Sequence, residues 1–241
     1  MSVTIVSLYP ALLGTYGDAG NVLALRHRAA LHDIPVDVVA VAPGDPIPAS
    51  GNLYVLGGGE DSAQTAAARG IRADGGLVTA VERGAAVLAI CAGYQLLGEY
   101  FPDATGAAVP GFGLIDIRTD RLPTRAVGEL AADPLIPGIP RLTGYENHGG
   151  ATHLGVDATP LAQVVAGVGN GDGTEGAISG HVLGTYLHGP GLARNPALAD
   201  LLLGWCVGTE LPAIIEADVQ ALREERLRSI LGDHWNTPVR R

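Results

Sequence analysis

The chain has 241 residues, of which 47% are hydrophobic and 17% are charged, and its formal net charge at pH 7 is −10. This composition indicates a folded protein with a well-filled core, and the negative charge argues against binding to nucleic acid phosphates. All fifteen basic residues are arginine, so this chain alone lacks the lysine needed for Schiff-base catalysis or a Walker-type phosphate loop. We therefore expect no cofactor in this chain, and we expect any ATP to bind to another polypeptide.

The location of the protein is predicted from what the sequence lacks. No apolar run reaches about 18 residues, and the first residues have neither a basic region nor an apolar signal core. The two cysteines, Cys91 and Cys206, are far apart and do not form a disulfide framework. We expect a soluble, cytoplasmic protein.

Short β-branched runs alternate with helical patterns in the first half of the chain. This alternation predicts an α/β fold with a mainly parallel sheet between helices, in which ligands bind at the carboxyl ends of the strands. The predicted strands cover residues 3–9, 36–41, 53–57 and 86–90, and the predicted helices cover residues 21–33 and 63–83.

The second half is richer in short strands separated by turns, so we expect antiparallel strands to extend the sheet. A helix is predicted around residues 195–207, and a terminal amphipathic helix at about 213–232. The chain contains no convincing linker, so a single domain is predicted over residues 1–241.

The clearest chemical signal is a thiol between a strand and a helix, in "AAVLAICAGYQLLG". Cys91 follows an apolar strand and precedes a helical segment, with the small residues Ala89, Ala92 and Gly93 around it. Small neighbours permit a tight turn and close approach of a substrate, while the helix N-terminus favours a negative charge. The alternative interpretation is a buried core thiol.

A nucleophilic cysteine needs a base and an oxyanion hole. His148 in "GYENHGG" and His188 in "GTYLHGP" both lie at the ends of predicted strands, and we favour His188 because its strand is better defined. The backbone N–H of Ala92 is one candidate oxyanion donor, and Gly58 in the glycine run "LGGG" is the other. A hydrogen-bonded turn residue is the alternative for either histidine.

Together these blocks resemble the class I (triad-type) glutamine amidotransferases, in the cobyric acid synthase-like subfamily. The similarity is greatest to the GatD group, which are glutaminase subunits of lipid II isoglutaminyl synthases, and covers roughly residues 5–207. The resemblance implies a flavodoxin-like three-layer sandwich. The blocks occur in the family's order: "GTYGDAGNVLALRHRA", "LYVLGGGEDSAQ", "AICAGYQLLG", "GFGLIDIRT", "GYENHGG" and "GTYLHGP".

The resemblance also implies roles for individual residues. It makes Cys91 the nucleophile, His188 the base, and Gly58 with Ala92 the oxyanion donors. Arg125 matches an arginine that the GatD group uses to hold glutamine, and its planar fork suits an α-carboxylate.

Several roles around the substrate remain open at this point. Arg125 has the alternative of a surface ion pair with Glu129. Glu146 and Asn147 are candidates to bind the substrate's ammonium group, or to structure a turn instead.

The sequence departs from the wider family after the histidine. Most triad amidotransferases have a glutamate two residues after it, whereas this chain has Pro190, a gap that the GatD group shares. Another acid must then orient His188. An acid elsewhere in this chain, for example Asp61 or Glu60 beside the glycine run, is one possibility, and we favour a residue supplied by a partner subunit.

By resemblance, the chain is expected to hydrolyse L-glutamine through a cysteine thioester and to pass ammonia to a Mur-ligase-like, ATP-dependent subunit (MurT). That partner, which would hold ATP and Mg²⁺, amidates the D-glutamate α-carboxylate of lipid II. The alternatives are a cobyric acid synthase-type glutaminase, a stand-alone cysteine hydrolase, and a non-enzymatic binding module. No metal site is predicted in this chain.

Overall fold

The computed structural model describes residues 2–236, with the side chain of residue 234 excepted. The strands are Val3–Leu8 (β1), Val36–Val41 (β2), Leu53–Leu56 (β3), Ala86–Ile90 (β4), Tyr100–Pro102 (β5), Ala108–Pro110 (β6), Ile117–Pro134 (β7), Leu142–Leu154 (β8), Ala162–Ala166 (β9), Thr174–Glu175 (β10), Ala177–Ser179 (β11) and Val182–Thr185 (β12). The helices are Gly20–Leu31 (α1), Asp61–Asp74 (α2), Gly76–Glu82 (α3), Ala92–Leu96 (α4), Gly191–Arg194 (α5), Pro196–Val207 (α6) and Ala217–Leu231 (α7), followed by a 3-10 turn at Gly232–His234.

The central sheet has six strands in the order β11-β12-β4-β3-β1-β2. All neighbours are parallel except β11, which pairs antiparallel with β12. Every residue of β3 and β4 is buried, which explains why these strands are apolar throughout and do not alternate with polar residues. Helix α1 packs against α5 and α6, and α2 packs against α3 and α4. The predicted α/β class is confirmed.

Half of the eight later strands form a second sheet. It has four antiparallel strands in the order β10-β9-β7-β8, whereas β5 and β6 form a separate hairpin. Only β11 therefore extends the central sheet with an antiparallel strand. A backbone bridge between Tyr145 and His188, with N···O distances of 3.1 and 2.8 Å, joins β8 to the segment that follows β12.

Two helical predictions differ in detail from the structure. The helical pattern over residues 63–83 divides into α2 and α3 because Gly75 takes a left-handed conformation, with φ of 76°. The terminal helix predicted at about 213–232 is α7, which begins later, at Ala217. Its Arg223 is buried and donates to the side chain of Asn195, which attaches the helix to the body of the protein.

The functional residues gather at the carboxyl edge of the central sheet. The parallel register pairs Leu56 with Ala89 and Ile90 with Thr185, so β3, β4 and β12 end side by side. The segments that leave these three strands carry the predicted site residues. No helix within residues 2–236 is long and apolar enough to span a membrane.

Candidate active site

Cys91 occupies the sharp turn between β4 and α4. Its φ of 50° and ψ of −105° are an uncommon backbone conformation for a residue with a side chain, and its N–H donates to Thr185 O at 2.8 Å. The turn also needs Gly93, because a Cβ atom there would lie 2.8 Å from Leu56 Cβ. The strain and the close packing hold the Cys91 side chain in a fixed position, as an attacking sulfur requires.

His188 lies beside this cysteine, just beyond the end of β12. Its side chain is 1% exposed, and its Nδ1 lies 3.0 Å from both carboxylate oxygens of Asp18. Its Nε2 has no hydrogen-bond partner among residues 2–236. A Cβ atom at Gly58 would be 2.7 Å from His188 Cε1 and 3.5 Å from Cys91 Cβ, so the two side chains border the same glycine.

The surroundings of His188 favour the charged imidazolium. Burial lowers the pKa of His188, but the hydrogen bond with Asp18 and the nearby sulfur of Cys91 outweigh burial and raise it to about 9. With Nδ1 bound to Asp18, the nitrogen that remains for the thiol is Nε2. The imidazolium therefore lies beside the thiol, where a positive charge stabilises a thiolate nucleophile.

Asp18 is the residue that orients His188, and it was missed from the sequence. It lies just before α1, is 1% exposed, and is separated from His188 by 170 residues. The prediction that a partner subunit supplies this acid is therefore wrong. The alternative of an acid elsewhere in this chain agrees with the structure, but the residue is neither Glu60 nor Asp61, because both lie at the N-terminus of α2 and neither contacts Nδ1. The only available signal was the acid in the block "GTYGDAGN".

The predicted oxyanion donors are both near the sulfur, but they differ in availability. The Ala92 N–H belongs to the first residue of α4 and donates to no group in the described part of the chain. The Gly58 N–H donates to Asp18 Oδ2 at 2.7 Å and is therefore engaged. The next N–H, that of Gly59, has no partner among the described residues, and Gly59 lines the pocket beside Cys91.

Arg125 reaches the same pocket from an irregular part of β7. The pairing with β8 shifts register between Arg121 and Ala126, and the extra residues carry Arg125 over the site. Its Nε donates to Asn147 Oδ1 at 2.6 Å. The alternative of an ion pair with Glu129 is not seen, because Glu129 pairs with Arg194 at 2.5 Å.

Two other candidates from the sequence have structural contacts. Glu146 accepts the N–H groups of Val168 and Gly169 at 2.8 and 2.9 Å, so it structures a turn. His148 is buried, stacks on Tyr186 with ring centroids 3.6 Å apart, and contacts Gly150 O through Nδ1 at 3.0 Å. These contacts leave His188 as the better-placed base.

The pocket above Cys91 combines charged and polar groups. Within residues 2–236 no group of three or more histidine, cysteine, aspartate or glutamate side chains is placed to hold a metal ion. The residues that line the pocket are Tyr16, Gly59, Glu60, Asp61, Gln64, Cys91, Ala92, Gln95, Arg125, Asn147, His148 and Gly149.

Solved structures with a similar fold include glutamine amidotransferases. A crystal structure of a glutamine amidotransferase has a TM-score of 0.58 and 20% sequence identity, and covers 84% of this chain and 98% of that chain. The glutaminase domain of the Trypanosoma brucei protein CTPS, with bound acivicin, has a TM-score of 0.54 and 11% identity, and covers 88% of this chain and 96% of that chain. At these identities the likeness shows the flavodoxin-like fold alone.

Sequence relatives are closer. The GatD subunit of lipid II isoglutaminyl synthase from Staphylococcus aureus is 35% identical over 83% of this chain and 83% of its own length. The Streptococcus pneumoniae GatD subunit is 33% identical over 92% of this chain and 90% of its own. Cobyric acid synthase from Sphingopyxis alaskensis is 37% identical over 70% of this chain but only 34% of its own. The model of the CobB/CobQ-like glutamine amidotransferase domain matches residues 4–196, and the chain belongs to this family of glutamine amidotransferases.

Proposed function

We propose that the chain is the glutaminase subunit of a lipid II isoglutaminyl synthase. The observation that carries the chemical part of this proposal is the contact chain from Cys91 through His188 to Asp18 at the carboxyl edge of the sheet. The two GatD relatives support the biological part, because their similarity extends over most of both chains. Cobyric acid synthase, in contrast, is about three times as long as the matched region.

The reaction would begin with attack on the side-chain amide of glutamine. The Cys91 thiolate adds to the amide carbon, and the oxyanion that forms is stabilised by the N–H groups of Ala92 and Gly59. The His188 imidazolium gives its Nε2 proton to the leaving nitrogen, the carbon–nitrogen bond breaks, and ammonia leaves a glutamyl thioester. Asp18 holds the ring in the required orientation throughout.

Hydrolysis of the thioester would return the site to its starting state. The now neutral His188 takes a proton from water at Nε2, and the hydroxide adds to the thioester carbon. Collapse of this intermediate releases glutamate and the Cys91 thiolate, with His188 again protonated. Arg125 would hold the α-carboxylate of the substrate through both steps, and no metal or cofactor takes part.

The ammonia would be used by a second subunit in a heterodimer. Free ammonia is protonated in water and loses its nucleophilicity, so a shielded path to the partner is required. We propose a Mur-ligase-like subunit (MurT) that binds ATP and Mg²⁺, activates the D-glutamate α-carboxylate of lipid II and forms D-isoglutamine. The complex would act in the cytoplasm on a precursor of peptidoglycan, in cell wall biogenesis and the maintenance of cell shape.

A single domain over residues 1–241 stays a prediction.

The proposal is tested by reconstitution. The chain is incubated with glutamine alone, with a Mur-ligase-like protein, lipid II and ATP, and with a corrinoid acceptor and its ATP-dependent synthetase. Glutamine-dependent amidation of lipid II supports the proposal. Amidation of the corrinoid only would assign the chain to the cobyric acid synthase type, and glutamine hydrolysis that never feeds an acceptor would indicate a stand-alone hydrolase.

A further inference from the structure

We propose that Glu60 and Asp61 bind the α-ammonium group of the substrate, opposite Arg125, and thereby select free glutamine. This proposal rests on the proposed function and adds a specificity-determining subsite to it. Glu60 precedes α2 and Asp61 is its first residue, and both line the pocket that contains Cys91 and Arg125.

The two carboxylates are available for a ligand. Both side chains are exposed, and neither makes a hydrogen bond or an ion pair within residues 2–236. The other acids near the site are engaged: Asp18 binds His188 and the Gly58 N–H, and Glu146 binds a turn. The pocket therefore holds two uncommitted negative charges.

Carboxylates at a helix N-terminus also have a purely structural use, because they complement the helix dipole. A separate observation indicates that this particular helix end faces a ligand site. The side chain of His188 is 1% exposed, and its Nε2 has no partner among the described residues. Because its Nδ1 binds Asp18, Nε2 is the nitrogen left for the Cys91 side chain, with which His188 interacts, and Cys91 lines the same pocket as the two acids.

The charges in the pocket match those of a free amino acid. Arg125 contributes one guanidinium to the lining, and Glu60 and Asp61 contribute two carboxylates. Free glutamine carries one α-carboxylate and one α-ammonium group, whereas a glutamine within a peptide carries neither. An ammonium group has three N–H donors, so two carboxylates can accept from it at once.

The test uses a ligand that lacks only the ammonium group. Glutaramate has hydrogen in place of this group and retains the carboxylate and the side-chain amide. Binding of glutamine and of glutaramate to the full chain carrying Cys91→Ala is measured by calorimetry, so that no turnover occurs. Glu60→Gln, Asp61→Asn and the double substitution are compared with Glu82→Gln, which removes an exposed carboxylate at the end of α3, outside the pocket.

We expect the chain with both acids intact to bind glutamine more tightly than glutaramate. The double substitution should reduce this preference about tenfold or more, each single substitution should reduce it in part, and Glu82→Gln should leave it unchanged. A preference that survives the double substitution would overturn the proposal. So would an equal weakening of both ligands, since that would indicate a structural role at the start of α2.

A parallel assay of glutamine hydrolysis, with Cys91 present, distinguishes failure of the ammonium subsite from failure of the proposed glutaminase function. Hydrolysis together with an unchanged ligand preference in the double variant would remove the ammonium subsite and leave the glutaminase. The expected loss of preference in a chain that never hydrolyses glutamine, alone or with a partner, would support the subsite and overturn the enzyme. Absence of binding to both ligands would overturn both.

Discussion

His188 Nδ1 lies 3.0 Å from each carboxylate oxygen of Asp18, and this contact joins the turn before α1 to the segment after β12. The same carboxylate accepts the Gly58 N–H at 2.7 Å, so one buried acid fixes both the imidazole and the glycine run after β3. The consequence is a complete Cys–His–Asp arrangement within one chain.

Substitution of Asp18 by asparagine should reduce the maximal rate of glutamine hydrolysis about 100-fold or more. The amide has similar size, but it cannot stabilise the imidazolium, and it permits the wrong tautomer at Nδ1. The measurement is steady-state hydrolysis by the full chain, with Asp218→Asn on the exposed face of α7 as a control for loss of one negative charge. A rate within threefold of the wild type would show that orientation by Asp18 is unnecessary.

The stability of the protein should depend on pH through His188. Its pKa in the folded chain is about 9, above the ordinary 6.5, so the imidazolium contributes stability that is fully present below about pH 6.5 and is lost as the pH rises through about 9. The full effect is on the order of 3 kcal/mol. Urea unfolding between pH 6 and 10 should show a smaller loss in Asp18→Asn than in the wild type. Equal losses in both proteins would contradict the assigned cause.

Introducing a methyl group at Gly58 should inactivate the site without a large loss of stability. The Cβ atom of Gly58→Ala would lie 2.7 Å from His188 Cε1 and 3.0 Å from Asp18 Oδ2, so the imidazole must move. The measurement is glutamine hydrolysis beside thermal unfolding. Gly191→Ala is the control, because its nearest neighbour would be at an ordinary 3.8 Å. Full activity in Gly58→Ala would indicate that His188 is not held at this position.

Arg125 should act mainly on the glutamine requirement. A charge-assisted contact to the α-carboxylate contributes roughly 2–3 kcal/mol, so Arg125→Ala should lower kcat/KM tens- to hundred-fold, chiefly through KM. Arg125→Lys should restore little, because the planar fork is lost. The control is Arg226→Ala on α7, which tests loss of a positive charge away from the site. Kinetic constants within twofold of the wild type would exclude Arg125 from substrate binding.

The sequence predicted those parts of the site that depend on local structure. Cys91 and His188 each follow a buried strand, and parallel strands end at a common edge, so their proximity follows from the α/β pattern. Asp18 was not predictable in this way, because its contact depends on how the turn before α1 packs against a segment 170 residues later. The glutamate that most triad amidotransferases have two residues after the histidine is replaced here by Pro190, and nothing in that spacing indicates an acid before α1.

The sequence also does not predict which backbone N–H groups are free to bind a substrate. A glycine run predicts a tight turn, but which N–H is free depends on side chains from elsewhere, and here Asp18 occupies that of Gly58. Similarly, the residues 117–134 are one long strand, and only the register shift against β8 brings Arg125 over the pocket. Such shifts depend on pairing across strands, which a single sequence does not specify.

The central claim is that this chain alone contains a complete machinery for thioester formation at Cys91. The most direct test is a single-turnover experiment at saturating glutamine, with rapid quenching and mass spectrometry of the intact chain and its peptides, with and without a Mur-ligase-like partner. We predict one glutamyl adduct on the peptide that contains Cys91, formed without the partner, absent in Cys91→Ala and unchanged in Cys206→Ala. Consumption of glutamine without this adduct, or an adduct that requires a carboxylate from the partner, would contradict the account.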